Sequence, residues 1–313
     1  MPTYKLTIAY DGTDFAGWQK QEPPDPALLG AAAPRAQRVA IQKLEPGLEP
    51  GKPGRIALRT VQAVVERAVR EVVREPIVLL GASRTDSGVH ARQQVAVFRC
   101  SGDEKDETHG SESRVTGGWP ESRGVERLLR AVNSRLGEDV LIVGAEVVDA
   151  RFHPIRDCIA KGYSYTYWVG KHRPLWERRR AWHTWVDLDI EAMQRAAGYF
   201  VGEHDFAAFV AARHGKLTTV REVYACAIRE VALEAHTSFV PPSQVLRLEI
   251  SGNGFLYNMV RIIAGTLHDV GRGRVSADDV PGIIAGLDRV RAGPTLPPQG
   301  LCLEWIKYPS ASD

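Results

Sequence analysis

The sequence predicts an α+β fold built from two halves that each follow the order βαββαβ. Two observations carry this prediction. Strand-like alternation and helical spacing of apolar residues follow one another in that order twice along the chain, and 313 residues are enough for two domains. We expect an N-terminal half over residues 1–150 and a C-terminal half over residues 151–313.

The first half opens with a strand and a capped helix. Tyr4–Tyr10 alternates between apolar and polar positions, and Val61–Val73 carries apolar residues at helical spacing directly after Thr60, a good helix cap. The rest of this half is predicted as strands Ile77–Leu80 and Val95–Phe98, a helix Val125–Leu136 and a strand Val140–Val148.

The second half repeats the pattern. Its predicted elements are a strand Tyr163–Val169, a helix Ile190–Val201, strands Val220–Val231 and Val245–Ser251, a helix Leu256–Val270, a short helical segment Val280–Ala285 and a strand Leu301–Ile306. Two such units favour a duplicated ferredoxin-like architecture. In it, two antiparallel sheets join into one continuous sheet with a central cleft.

Two stretches interrupt the globular pattern. Glu22–Gly54 is rich in proline, alanine and glycine, and Ser101–Ser113 is an acidic run rich in serine and glycine. We interpret them as loop insertions that cover about residues 22–58 and 101–122.

Composition excludes several classes of protein. No apolar run approaches the ~18 residues of a membrane span, and the N-terminus lacks the pattern of a secretory signal, so we expect a cytoplasmic protein without a membrane partner. The four cysteines form no CxxC pair, which argues against a zinc site and predicts reduced, mostly buried thiols. The formal charge of +2 predicts no partner by itself.

The distribution of charge is more informative than its sum. The segment from Ile155 to Trp185 combines seven basic residues with two acidic ones and seven tyrosines and tryptophans. Arg178, Arg179 and Arg180 stand together in this segment. Cations neutralise phosphates and exposed rings stack on bases, so this composition favours RNA binding, which the cleft would accommodate. A solvated basic loop beside a strand whose rings pack in the core explains the same composition equally well.

The segment Gly81–Ala91 is a charged, glycine-containing loop between two apolar strands, which is a common location for catalytic groups. Its carboxylate, Asp86, follows Arg84 by two residues, and a nearby cation would keep that carboxylate charged for use as a nucleophile or base. The residues also fit an ordinary hairpin turn in which Asp86 bonds its own backbone.

At these residues the chain resembles the TruA-type tRNA pseudouridine synthases. The resemblance extends over most of the chain outside the insertions, and RTDSGVHA at Arg84–Ala91 is its most specific segment. Further matching segments are YDGTDFAGWQ at Tyr10–Gln19, RTVQ at Arg59–Gln62, ARFHP at Ala150–Pro154, KGYSYTYWV at Lys161–Val169, GEHDFAAF at Gly202–Phe209, GNGFLYNMVRIIAG at Gly252–Gly265 and GLCL at Gly300–Leu303.

The resemblance implies an isomerase that converts uridine to pseudouridine in the tRNA anticodon stem-loop, at positions 38, 39 and 40. It assigns the catalytic aspartate to Asp86, the tyrosine that stacks on the target base to Tyr163, and the arginine that pairs with the aspartate to Arg261. Arg84 falls on an arginine that assists base flipping, and Thr85 beside it is expected to bind substrate, as are Arg178, Arg179 and Arg180. Attack of Asp86 on the base or on the sugar carbon is compatible with these residues.

The resemblance further implies a homodimer with tRNA as its partner and no cofactor. Breaking an N-glycosidic bond and forming a C–C bond on the same ring requires no metal or redox group, and the chain has no nucleotide-binding or metal motif. The motif has Ser87 where many members have alanine, and Ala160-Lys161-Gly162 replaces a more usual basic pair. A non-catalytic RNA-binding protein on the same scaffold is the alternative function.

Overall fold

The computed structural model describes residues 1–25, 55–102, 117–211, 218–232 and 244–309. The chain divides into two compact units, Met1–Cys158 and Ile159–Asp313. Within the described ranges, ten β-strands and five α-helices form these units, so the predicted α+β class is confirmed.

The first unit has the predicted chain order. Its elements are β1 (Thr3–Tyr10), α1 (Val61–Val73), β2 (Leu80–Gly81), β3 (His90–Arg99), α2 (Val125–Asn133) and β4 (Val140–Val148). The strands lie in the order β4-β1-β3-β2, and each neighbouring pair is antiparallel. The apolar side chains of β1 at Tyr4, Leu6 and Ile8 are fully buried, as their alternation predicts.

Helix α1 begins and ends for reasons that are visible in its sequence. The Thr60 hydroxyl accepts a hydrogen bond from the Ala63 amide at 3.3 Å, which satisfies one of the free N–H groups of the first turn. The valine stripe of α1 is buried, and the helix ends where Arg74 adopts a left-handed conformation with φ 56°. The predicted bounds of α1 are confirmed.

The predicted strand at Ile77–Leu80 is wrong over most of its length. Only Leu80 and Gly81 pair with β3, because side chains of α1 occupy the backbone groups of the preceding residues. Arg70 donates to the Ile77 carbonyl at 2.9 Å, and the Leu79 amide donates to Glu66 at 3.0 Å. The apolar run therefore lies along the helix and not in the sheet.

Helix α2 ends at Asn133, earlier than the predicted Leu136. The Asn133 side chain donates to the Ile142 carbonyl at 2.9 Å and accepts from the Ile142 amide at 2.8 Å. An amide that bonds both backbone groups of a β4 residue ties the helix end to the sheet, so the chain turns there.

The second unit contains the predicted elements and two additional short strands. Its elements are β5 (Ala160–Val169), β6 (Trp182–Thr184), α3 (Ile190–Gly198), β7 (Gly202–Asp205), β8 (Val220–Glu230), β9 (Gln244–Gly252), α4 (Met259–Gly271), α5 (Val280–Ala285) and β10 (Leu301–Lys307). The strands of this unit lie in the order β10-β5-β9-β8-β7, with antiparallel neighbours.

The second unit's sheet is not purely antiparallel, which corrects the prediction. Strand β6 pairs with the end of β5 in parallel, with Tyr167 opposite Trp182 and Val169 opposite Thr184. The loop between them leaves β5 at Gly170 and returns to run beside the same strand. Strands β6 and β7 have three and four residues, too few for a pattern of alternation to be recognised.

Two helix ends of the second unit also differ from prediction. Helix α3 ends at Gly198 instead of Val201. Helix α4 begins at Met259 instead of Leu256, because Asn258 adopts a left-handed conformation with φ 62° that an α-helix cannot contain.

At each predicted insertion, the two described ends of the chain are hydrogen-bonded to each other. At the first, the Ile56 amide donates to the Pro23 carbonyl at 3.0 Å. At the second, the Trp119 amide donates to the Ser101 carbonyl at 2.9 Å. Most of each insertion, residues 26–54 and 103–116, lies outside the described residues. At each insertion the chain therefore leaves and re-enters the unit at neighbouring backbone positions. The elements on either side keep their order.

Helix α4 packs directly on the backbone of the segment that follows α5. A Cβ on Gly265 would overlap with the Pro294 carbonyl oxygen, and the Gly293 amide donates to the Thr266 hydroxyl at 2.8 Å. Gly282 of α5, in contrast, has no atom within 4 Å of the position a Cβ would take, apart from its chain neighbours and the backbone of its own helix. The structure therefore has no space for a methyl group at Gly265, whereas it has space for one at Gly282.

We expect Gly265→Ala to lower the free energy of unfolding by about 1–3 kcal/mol, because the methyl group forces α4 away from Pro294. Gly282→Ala is the matched control and should raise the free energy of unfolding by about 0.5–1 kcal/mol, since alanine favours a helix over glycine. Urea denaturation of both variants measures the difference. Equal shifts in the two midpoints would contradict the packing argument.

Candidate active site

The loop between β2 and β3 presents the carboxylate that the sequence singles out. Asp86 is half-buried. The residue before it, Thr85, is buried, whereas Arg84 and Ser87 are exposed. The Val89 amide donates to the Asp86 carbonyl at 3.1 Å, and Gly88, the third residue of this turn, has φ 82°, which glycine adopts without steric cost. The turn is closed by backbone groups, so it does not need the Asp86 carboxylate as its cap.

A segment that follows β1 holds this loop from one side. The Trp18 amide donates to the Thr85 carbonyl at 3.0 Å, and the hydroxyls of Tyr10 and Thr85 are hydrogen-bonded at 2.8 Å. On the other side of Asp86, the Ser87 hydroxyl donates to the Phe15 carbonyl at 3.0 Å. The residues before and after Asp86 are therefore both fixed to the segment 10–18, which we call the cradle.

The cradle approaches the loop so closely that glycine is required in it. Gly17 has φ 99°, and a Cβ there would lie 2.8 Å from the Thr85 carbonyl oxygen. The aromatic ring of Phe15 is covered on one face by the guanidinium of Arg59, whose carbon lies 4.0 Å from the ring centroid. Arg59 in turn forms two hydrogen bonds with Asp139, at 2.8 and 3.1 Å. These contacts hold the cradle to the rest of the unit.

His90 closes the end of the loop. Its buried ring accepts a hydrogen bond at Nδ1 from the Gly12 amide at 3.1 Å. The Asp11 carboxylate lies 3.3 Å from the same Nδ1. Burial acts to raise the pKa of Asp11, but the adjacent His90 ring and the hydrogen bonds from the Thr13 amide and hydroxyl hold that pKa well below its usual range. Asp11 is therefore a charged partner for His90.

In the second unit, Tyr163 lies on β5 and is almost completely buried, with 8% of its surface exposed. Its ring meets the edge of Phe255 at a centroid distance of 5.3 Å and an angle of 85°. The next tyrosines on the same face, Tyr165 and Tyr167, are fully buried and donate to carbonyls of Pro297 and Ala264. Burial raises the pKa of both hydroxyls well above the usual range, so these two tyrosines belong to the core.

Arg261 lies in the first turn of α4 and has a fixed orientation. Its Nε donates to the Leu296 carbonyl at 2.6 Å, and Nη1 donates to the Asn258 side chain at 2.8 Å. The segment 255–258 therefore contacts Tyr163 through Phe255 and Arg261 through Asn258, which places both residues around one short stretch of the second unit.

Arg178, Arg179 and Arg180 occupy a different part of that unit, the loop between β5 and β6. All three are exposed, and Arg178 donates to the Leu175 carbonyl at 2.5 Å. The site residues of the second unit thus form two groups, one around the segment 255–258 and one on this loop.

Several residues that the sequence patterns do not assign to the site also contact it. Tyr10 and Trp18 hold the loop that carries Asp86, and Phe255, Asn258 and Leu296 contact Tyr163 or Arg261. All but Leu296 lie in segments that carry the family resemblance, and this was the one available signal. Their partners lie far away along the chain, so local spacing does not reveal them.

The prediction of mostly buried thiols holds for two of the four cysteines, since Cys158 and Cys302 are partly exposed. Cys100 and Cys226 are buried, and burial raises the pKa of their thiols to about 11 and about 12. In the described part of the chain, no three His, Cys, Asp or Glu side chains cluster in a way that could hold a metal ion. Among the same residues, no helix has the length and apolar character needed to cross a bilayer.

Comparison with known proteins places the chain in a family. Residues 196–309 match the family model described as tRNA pseudouridine synthase. Proteins named tRNA pseudouridine synthase A from Ruminiclostridium cellulolyticum, Acetivibrio thermocellus and Thermoanaerobacter sp. are 37%, 36% and 35% identical to it. Each comparison covers 98% of this chain and the whole of the relative. The chain therefore belongs to the tRNA pseudouridine synthase family, as its resemblance to the TruA-type enzymes predicted.

Proposed function

We propose that the protein isomerises uridine to pseudouridine in the tRNA anticodon stem-loop, at positions 38, 39 and 40, with Asp86 as the nucleophile. The names of full-length relatives support tRNA as the substrate class. The observation that carries the assignment of Asp86 is its place in the loop: half-buried, between two residues that are hydrogen-bonded to the cradle. A carboxylate held in this way is oriented before substrate arrives.

The proposed reaction detaches the uracil ring from the sugar at nitrogen and reattaches it through carbon, so no atom is gained or removed. The base must leave its stack for this to happen, at a cost of a few kcal/mol. Asp86 supplies the electron pair that starts the reaction, by attack on the base or on the sugar carbon. Arg84, exposed two residues earlier, is suited to fill the space from which the base departs.

Tyr163 and Arg261 complete the proposed catalytic group. Tyr163 supports the flipped base with its ring, and the edge contact with Phe255 keeps that ring in one orientation. Arg261 supplies the cation that balances the carboxylate, and its two hydrogen bonds leave its position fixed before binding. We assign Thr85 an indirect part in substrate binding, because its buried hydroxyl and carbonyl hold the loop to Tyr10 and Trp18.

Arg178, Arg179 and Arg180 bind phosphates of the tRNA in this proposal. Their exposure and their succession on one loop support it, because a stretch of cations follows a backbone of phosphates without reading its sequence. Each ion pair of this kind releases a condensed counterion, which makes the affinity depend on salt.

The scaffold and the assembly are part of the proposal. Both units order their main strands as fourth, first, third and second along the sheet, which supports two duplicated ferredoxin-like halves. We propose residues 1–150 and 151–313 as these halves. We propose that the enzyme acts in the cytoplasm as a homodimer, as the family resemblance implies. A second subunit would allow the enzyme to contact another part of the L-shaped tRNA.

Asp86→Asn should abolish formation of pseudouridine and leave tRNA affinity within a few-fold, because it removes the nucleophile and conserves its shape. Product is measured by release of tritium from tRNA labelled at C5 of uridine, and affinity by filter binding. Asp14→Asn is the matched control, since it makes the same change at an exposed acid of the cradle and should stay active. More than a few per cent of activity in Asp86→Asn would exclude Asp86 as nucleophile.

Tyr163 can be tested by separating its ring from its hydroxyl. Tyr163→Phe keeps the face that supports the base, so tRNA binding should remain while turnover falls strongly if the hydroxyl transfers a proton. Tyr163→Leu should impair both, because it removes the ring. Single-turnover rates at saturating enzyme distinguish the two effects. An unimpaired Tyr163→Phe beside an impaired Tyr163→Leu would assign the whole contribution to the ring.

Affinity for tRNA should fall steeply as salt rises, because ion pairs with phosphates supply most of it. Replacing Arg178, Arg179 and Arg180 by alanine should flatten the plot of log affinity against log salt by roughly one unit for each phosphate that is no longer neutralised. An unchanged slope in the triple variant would show that these arginines do not bind phosphate.

A further inference from the structure

The loop between β5 and β6 and the residue directly after β6 expose apolar side chains that the proposed reaction does not use. Trp176 and Trp185 are 71% and 70% exposed, and Leu175 is 65% exposed. The other two tryptophans of the region have structural partners, since Trp168 lies in a core cluster with Ala181. Trp182 packs against Tyr167 and His268.

Single exposed apolar side chains are common, but three large ones within eleven residues of chain, Leu175 to Trp185, indicate an interaction surface. The same stretch of chain is rich in exposed cations, namely Lys171, Arg173 and the three arginines at 178–180. Glu177 is the one acidic residue between 171 and 185. We call the exposed residues of 171–180 together with Trp185 the tryptophan–arginine surface.

The orientation of Trp185 is fixed by its neighbours. Its ring meets the edge of His183 at a centroid distance of 4.6 Å, and His183 Nε2 is hydrogen-bonded to the Gly170 carbonyl at 2.8 Å. The Gly170 amide donates to the Thr184 carbonyl at 3.1 Å, which brings Trp185 to the start of the loop that carries Lys171. A ring that is already ordered loses little conformational entropy when a partner stacks on it.

The surface is distant from the tyrosine proposed to support the target base. Tyr163 and Val169 are six residues apart on β5, which corresponds to about 20 Å along an extended strand. Val169 pairs with Thr184, the residue before Trp185. A nucleotide at Trp185 is therefore not the one at Tyr163.

We infer that the tryptophan–arginine surface is a second binding site for tRNA, at which Trp176 and Trp185 stack on unpaired bases while the neighbouring cations bind the phosphates. The inference rests on the proposed function for the identity of the RNA. Charge complementarity selects this occupant: a polyanion with exposed aromatic faces satisfies both the cations and the indoles, whereas an apolar protein surface would leave five cations desolvated.

The test compares tRNA affinity at two salt concentrations for Trp176→Ala, Trp185→Ala and the double variant. Stacking contributes about 1–3 kcal/mol per base, so the double variant, which removes two stacks, should bind unmodified tRNA at least about 30-fold more weakly. Its salt slope should stay unchanged, because every cation that neutralises a phosphate is kept. Tyr199→Ala, at the end of α3, removes a partly exposed ring elsewhere in the same unit and should bind as wild type.

Trp185→Phe and Trp185→Leu separate stacking from apolar packing. The phenylalanine variant should recover most of the affinity and the leucine variant should not, because leucine has no π face. Affinity of the double variant within two-fold of Tyr199→Ala would overturn the inference. A change in its mass by light scattering with unaltered tRNA affinity would also overturn it, and would assign the surface to association between copies of the chain.

The inference and the proposed function fail separately. If wild-type protein forms no pseudouridine but the tryptophan variants bind tRNA weakly, the proposed function is wrong and the second binding site stands. If pseudouridine forms and the variants bind normally, the second binding site alone is wrong.

Discussion

The attachment of the loop at Arg84–Ala91 to the cradle is the constraint on which the proposed chemistry depends. A carboxylate on a free loop would sample many positions, and ordering it during the reaction would add to the barrier. Here the hydrogen bonds of Trp18 with Thr85, Phe15 with Ser87 and Gly12 with His90 are formed in advance. Two of them flank Asp86 directly, so its backbone position follows from the cradle.

In the second unit, close packing of helix α4 fixes the position of a charged side chain. Gly265 allows α4 to touch the backbone at Pro294, and this approach sets the segment whose Leu296 carbonyl receives Arg261. A side chain at Gly265 would displace the acceptor of Arg261 along with the helix. In both units a glycine at a point of close approach therefore determines where a charged side chain lies.

Sequence predicted the elements whose own residues determine them. Strand β4 and helices α1 and α5 have their predicted bounds, because periodicity and caps are local signals. Ile77–Leu79 was mispredicted since Glu66 and Arg70 of α1 compete with the sheet for its backbone groups. Helix α4 begins late because of the conformation of Asn258, which is a property of the folded structure and not of periodicity.

The candidate site, like the fold, was predictable only where neighbouring residues in the sequence determine it. The position of Asp86 in a loop between two strands followed from the local pattern, and the assignments of Tyr163 and Arg261 came from the family resemblance. Tyr10 and Trp18 were not identified as partners of Thr85 because 75 and 67 residues separate them from it. Interactions over such distances become visible only when the sheet and the loops are in place.

The most direct test of this account is a nucleotide-resolution map of pseudouridine in total tRNA from cells with and without the protein. The account predicts that pseudouridine disappears at positions 38, 39 and 40 of the anticodon stem-loop and persists elsewhere when the protein is absent. An unchanged map, or a loss confined to other positions, would contradict it.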